Sequence, residues 1–270
     1  MNSIEVDQLG IHLYDVGKGE PVILLHCSSA SHKAWRFLFD DLHDGYRVLA
    51  PDLVGYGQSD RWPAHRPYDV LTDIHVVERL LDMAGQPCHI IGHSYGAEMG
   101  LEAARLNPHR VKSLCLIEPV AFHLLKGSAC HQEWLRITGI GDRVADAMRE
   151  GQAEKAAGIY MSYWIGRVRW LFMPKAMKQR IVSTMDKVVC EFSTIRPALT
   201  QLDEYRLNAW PINLVEGSRT RPTAHCIIEL LKWVMPEAQH QMIQGAGHMS
   251  PFTHSQQVHD IVMDHLQRYS

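Results

Sequence analysis

The sequence predicts an α/β fold: a mostly parallel central sheet flanked by helices, with an inserted helical cap. Three observations lead there. Short apolar runs rich in β-branched residues alternate with segments whose apolar residues recur at helical spacing, which implies right-handed βαβ crossovers. Glycine or proline punctuates most changes of pattern. Between Pro119 and Arg206 the strand-like runs vanish and large side chains at helical spacing take over, before the alternation resumes.

Taken in order, Ile11 to Val16 reads as a strand ended by Gly17-Lys18-Gly19, and Pro21 to His26 as a second strand whose continuous apolar run calls for burial on both faces. Trp35, Leu38, Phe39 and Leu42 give the helix that follows. Tyr46 to Ala50 is the next strand, and Val70, Ile74, Val77, Leu80 and Leu81 form one face of a helix. Cys88 to Ile91 is another strand. The helix from Tyr95 is expected to bury Met99, Ala103 and Leu106 and to stop near Asn107-Pro108, because proline restricts the residue before it. Val111 to Ile117 is again a strand. In the middle stretch Tyr160, Met161 and Trp164, then Met177, Ile181, Met185, Val188 and Phe192, supply helical faces. A strand over Ile212 to Val215, a helix from Ala224 to Val234, a strand over Gln239 to Ile243 and a helix from Val258 to Leu266 complete the alternation. The organisation drawn is a core domain of residues 1–119 and 206–270 and a cap subdomain of residues 120–205.

The 270 residues suffice for one large core carrying a smaller subdomain. Lys plus Arg (27) against Asp plus Glu (30) leaves a formal charge of -3, so no whole-chain field attracts nucleic acid or an anionic membrane. A small-molecule substrate is the expected partner; the oligomeric state is not readable. The six cysteines, Cys27, Cys88, Cys115, Cys130, Cys190 and Cys226, show no short ligand spacing, and several sit in apolar runs, so they are expected to be reduced and mostly buried. The first residues lack a signal-peptide pattern and no window approaches about eighteen apolar residues, which makes a cytoplasmic location the expectation.

The segment that carries chemistry is Gly92-His93-Ser94-Tyr95-Gly96, a G-x-S-x-G directly after one strand and directly before an amphipathic helix. A serine there sits on a tight turn, its flanking glycines have no Cβ to collide with nearby backbone, and the helix N-terminus favours developing negative charge. Ser94 is therefore the candidate nucleophile. Its hydroxyl needs an imidazole to take its proton. Gly245-Ala246-Gly247-His248, following the last strand, places His248 at the same sheet edge as the candidate base. His93 is expected beneath the elbow, and His225, His240, His254 and His259 read as helix, strand or surface residues.

With these motifs in place the chain resembles the α/β-hydrolase fold superfamily in its cap-bearing serine hydrolase branch, the esterases and lactonases among it. The resemblance rests on His26 and the small-residue loop after it, Asp52-Leu53-Val54-Gly55-Tyr56-Gly57-Gln58-Ser59, the elbow at Ser94 and the late Gly245-Ala246-Gly247-His248. It implies a triad whose acid usually follows the strand that reopens the core after the cap. Here that loop reads Glu216-Gly217-Ser218-Arg219-Thr220, with threonine where an aspartate is expected. Some capped members take the acid from the position of Glu118, and a carboxylate ending an apolar strand needs a partner, since burying it unpaired costs several kcal/mol. Glu118 is the leading candidate; Glu216 and a structural role for Glu118 are the alternatives.

The resemblance further implies an oxyanion hole from the backbone N–H of Tyr95 and one from the loop after His26, with Ser28 preferred to Cys27. Cys27 is expected as a small wall residue and Asp52 as a turn-capping one. His93, Phe122, His123, Tyr160, Met161 and Trp164 are candidate pocket residues beside Cys27; Trp170 is a further aromatic of the cap. The activity implied is hydrolysis of a small hydrophobic or aromatic ester or lactone. C–C cleavage of a diketone by the same serine and histidine, or a binding protein derived from a hydrolase, are the alternatives. Dehalogenase chemistry is disfavoured because its elbow carries an aspartate. No metal-ligand spacing and no phosphate-binding loop is present, so no cofactor and no metal are expected.

Overall fold

The computed structural model describes residues 2–63, 65–198, 200–207 and 210–270. Among the described residues seven strands form one sheet: β1 (Asn2–Val6), β2 (Leu9–Leu25), β3 (Asp44–Pro51), β4 (Cys88–His93), β5 (Val111–Ile117), β6 (Ile212–Gly217) and β7 (Gln239–Ile243). Their order is β1-β2-β4-β5-β6-β7, with β3 against β2. From β2 through β7 every neighbouring pair on this path is parallel, while β1 is antiparallel to β2.

Eleven α-helices accompany the sheet among the described residues. Before β5 come α1 (Arg36–Leu42), α2 (Leu71–Ala84) and α3 (Tyr95–Leu106). Five more lie between β5 and β6: α4 (His131–Arg149), α5 (Ala153–Ile165), α6 (Arg167–Leu171), α7 (Lys175–Val182) and α8 (Met185–Ile195). The last three are α9 (Pro222–Val234), α10 (Ser250–Thr253) and α11 (Ser255–Tyr269). The sheet is thus closed by neighbouring strands β5 and β6 although five helices separate them in sequence. Residues 208 and 209, in the stretch where the second core segment was expected to begin, lie outside the described residues.

The core forms because the strands are apolar on both faces. Ile90, Leu114, Leu116 and Leu214 point to the layer that holds α2, α3 and α9, whereas Ile91, Cys115, Ile117 and Val215 point to the layer of α1 and α11. Successive strand residues alternate sides, so a continuous apolar run is what a sheet covered twice demands. Each fully buried Leu or Ile contributes about 1.5–3 kcal/mol of transfer free energy.

Four expectations need correction. Gly17 and Gly19 do not end a strand: with φ of 82° and 117° they bend one strand, β2, whose two halves both pair with β3. Leu106 is 47% exposed, since the last turn of α3 projects past the sheet. The apolar series from Met177 to Phe192 is two helices, α7 and α8, and Met177 is 51% exposed. Finally, the cysteines are not all reduced. Cys130, just before α4, forms a disulfide with Cys226 of α9, their Cα atoms 6.2 Å apart, while Cys27, Cys88, Cys115 and Cys190 are free. The two partners lie 96 residues apart, and only the packing of the insertion on α9 brings them together.

Candidate active site

The parallel order brings the C-terminal ends of β4, β5, β6 and β7 to one edge, where open α/β sheets hold their ligands. Ser94 follows β4, Glu118 follows β5, Thr220 follows β6 and His248 follows β7. Two of these residues sit in left-handed backbone, Ser94 with φ 55° and Glu118 with φ 46°. Such a conformation costs about 1–3 kcal/mol in a residue with a side chain and persists only where its surroundings enforce it. Here the sheet does so: Ser94 N–H donates to Ile117 O and Glu118 N–H to Val215 O, each at 2.9 Å. The glycines beside Ser94 are required by space, because a Cβ at Gly96 would collide with the carbonyl oxygens of Leu25 and His26, and one at Gly92 with the backbone of Ala97.

His248 lies between the other two. Its Nε2 is 2.9 Å from Ser94 Oγ and its Nδ1 is 2.6 Å from Glu118 Oε2. An ionised carboxylate only accepts, so the proton between them belongs to Nδ1, and Nε2 is left to accept from the serine hydroxyl. Glu118 is fully buried. Burial alone raises its pKa, but hydrogen bonds from His248, Thr220 and Gly217 outweigh that and hold the carboxyl below its ordinary value. Thr220 Oγ1–H donates to Oε2 at 2.5 Å and Gly217 N–H to Oε1 at 2.8 Å. The threonine that occupies the expected aspartate position therefore secures the glutamate from the neighbouring strand.

The loop carrying His248 is tied to the one after β6. Arg219 N–H donates to Ala246 O at 2.8 Å, and Gly245 N–H to Ser218 Oγ at 2.8 Å. His93 sits beneath, its Nε2 2.8 Å from His248 O; burial above all pushes its pKa down to about 3, so it is neutral and donates. From the insertion, Trp164 stacks on the imidazole with ring centroids 3.8 Å apart. Glu216, the other carboxylate considered, is turned away and bonded to His225 Nδ1 at 2.9 Å and His240 Nε2 at 2.8 Å.

A pocket opens beside Ser94. Ser28 and Tyr95 lie on its wall, as do Phe122, Tyr160 and Trp164. Tyr95 is the first residue of α3, so its N–H has no carbonyl partner within the helix. Cys27, His93, His123 and Met161 are not on that wall. Cys27 is buried, and burial pushes its thiol up to about 12; His123 lies behind Glu98, its Nδ1 3.6 Å from Oε1; Met161 packs into the apolar core. Asp52 holds its turn, accepting from His32 N–H at 2.7 Å and Gln58 N–H at 2.9 Å.

Two acidic residues on the wall had not been singled out in the sequence, Glu98 from α3 and Glu191 from α8. Glu191 accepts from Ser28 Oγ–H at 2.7 Å, Tyr56 O–H at 2.6 Å and Lys187 Nζ–H at 3.2 Å. Lys187 is buried and also donates to Asp73 Oδ2 at 2.8 Å. The available signal was a Lys-Glu pair four residues apart within the apolar stripe of Met185, Val188 and Phe192, where a charge must find a buried partner. Among the described residues, His12, His32 and Asp52, and likewise Glu216, His225 and Glu229, bring donor atoms within 4.8 Å of one another.

With this geometry in view, the comparisons decide the family. The model of the alpha/beta hydrolase fold matches residues 20–162, more than half of the chain. The chain belongs to the alpha/beta hydrolase fold family. Within that family, a haloalkane dehalogenase of Agrobacterium fabrum is 35% identical over 113 residues, covering 42% of this chain and 36% of that protein. A 2-hydroxymuconate semialdehyde hydrolase of Pseudomonas sp. (strain CF600) is 34% identical over 123 residues, 43% of each. The chain thus spans less than half the length of these curated relatives. Among solved structures, a thermophilic esterase from Thermogutta terrifontis superposes with a TM-score of 0.80 at 19% identity, covering 100% of both chains, a likeness of fold. No helix among the described residues is long and apolar enough to cross a membrane.

Proposed function

We propose that this hydrolase-fold protein is a serine hydrolase cleaving a small carboxylic ester or lactone through an acyl-enzyme on Ser94. The observation that carries the reading is the unbroken hydrogen-bonded chain Ser94 Oγ, His248, Glu118 at 2.9 Å and 2.6 Å. Ser94 Oγ attacks the carbonyl carbon as His248 Nε2 takes its proton, and Glu118 stabilises the imidazolium through Nδ1–H. The oxygen that gains charge is received by the backbone N–H of Tyr95 and that of Ser28. His248 returns the proton to the leaving oxygen, then deprotonates the water that releases the acid and frees the serine. For a lactone the leaving oxygen stays attached to the acyl chain, so one product departs.

Helices α4 to α8 act in this reading as a cap. Phe122, Tyr160 and Trp164 present apolar surface to the bound substrate, which favours a hydrophobic or aromatic portion. Trp164, stacked on His248, limits the imidazole's motion. A fluorophosphonate probe tests the proposal. Stoichiometric labelling of Ser94, abolished in Ser94→Ala, is expected; no labelling of the folded wild-type protein would refute it.

A further inference from the structure

The charged groups on the pocket wall have one sign. Glu98 and Glu191 contribute carboxylates, while no Lys or Arg lies on the wall among the described residues. Lys187 stands behind Glu191, where it serves Asp73 and Glu191 together. One ammonium facing two carboxylates leaves that cluster a cation short. The two wall acids differ in occupancy. Glu191 is taken up by Ser28, Tyr56 and Lys187. Glu98 has His123 Nδ1 at 3.6 Å, within ion-pair reach but beyond hydrogen-bond length, and its side chain is mostly buried, 17% exposed. Burial foremost raises the pKa of both carboxyls, and His123 beside Glu98 and Lys187, Ser28 and Tyr56 around Glu191 offset it only in part.

Glu98 is also well placed relative to the reacting atoms. It lines the same pocket as Ser94 and belongs to the first turn of α3, its N–H donating to Ser94 O at 3.1 Å. A group held by Glu98 therefore sits several bonds from the carbonyl attacked by Ser94. We infer that the substrate carries an N–H or O–H donor, best an ammonium, on the part of the molecule that reaches Glu98 while Ser94 attacks its carbonyl, and that a carboxylate at that place is excluded. The inference rests on the serine hydrolase reading and adds the chemical class of its substrate. Specificity arises from both sides: the ammonium gains a charge-assisted hydrogen bond, and a carboxylate faces Glu98 and Glu191 with no Lys or Arg on the wall among the described residues to receive it.

The test uses p-nitrophenyl phenylacetates bearing a methyl, aminomethyl or carboxylate group at the para carbon of the acyl ring, which holds the substituent away from the carbonyl without allowing it to attack its own ester. In the wild-type protein kcat/KM should rank aminomethyl above methyl by about tenfold and methyl above carboxylate by about a hundredfold. Glu98→Gln should shrink the aminomethyl-to-carboxylate ratio by at least about tenfold. Equal wild-type rates for the aminomethyl and carboxylate esters, with hydrolysis lost in Ser94→Ala, would overturn the inference and leave the serine reading standing. No turnover of any ester, with no fluorophosphonate label on Ser94, would overturn both. The wild-type ranking decides the matter even if Glu98→Gln fails to fold.

Discussion

Glu118 shows how a buried charge is made useful. Its carboxylate receives three donors, one of them His248, and so stays ionised where burial alone would favour a proton. Glu118→Gln keeps the shape but allows the imidazole the wrong tautomer, and should lower kcat by about 10³–10⁴-fold. Thr220→Val removes one hydrogen bond from the same carboxylate and should cost about tenfold. Glu216→Gln, buried but bonded to His225 and His240 rather than to His248, should leave kcat within about twofold. Steady-state rates on one p-nitrophenyl ester check the order, and Glu216→Gln proving the most damaging would contradict it. Ser94 and His248 were legible because the turn each requires is written in adjacent glycines. Glu118 was legible because a carboxylate closing an apolar strand needs a reason. Glu98 and Glu191 were not, because what they face depends on how α8 crosses the mouth of the sheet.

At the scale of elements, α8 is joined to the core by polar contacts rather than apolar ones alone. Lys187 reaches Asp73, Glu191 reaches Ser28, and Thr184 Oγ1 lies 2.7 Å from Ser29 Oγ. This seam ties the insertion to the loop proposed to hold the oxyanion. On its other side the insertion is tied by Cys130–Cys226, which closes a loop of 96 residues' separation and thereby restricts the unfolded chain. Cys226→Ser is expected to lower stability by about 2–4 kcal/mol, read from urea unfolding under non-reducing conditions. An unchanged midpoint would show that the crosslink adds nothing. The strand and helix alternation was legible from periodicity, whereas this disulfide was not, since no local pattern marks two cysteines that meet only after α4 has packed on α9.

For the whole molecule, the buried histidines set the response to acid. His93 and His265 are each buried, and burial foremost lowers their pKa to about 3 from 6.5. The folded state then binds fewer protons than the unfolded chain below pH 6.5, so stability that is full above that value is withdrawn as pH falls. Each histidine withdraws about 1 kcal/mol between pH 6.5 and 5.5. Glu98 and Glu191, held above their ordinary value of 4.5, act in the opposite sense, favouring the folded state as pH descends through their folded values. His265→Gln isolates one term: over that interval the wild type should lose about 1 kcal/mol more than the variant in urea unfolding. Equal losses would contradict the assignment of His265 as a buried neutral base.

In the proposed reaction Ser94 becomes covalently acylated. Intact-mass measurement of protein quenched during turnover of p-nitrophenyl acetate tests it most directly. An acetyl adduct on Ser94, absent in Ser94→Ala, is expected, whereas sustained hydrolysis by the wild type with no adduct, and undiminished hydrolysis by Ser94→Ala, would rule out an acyl-enzyme on this serine.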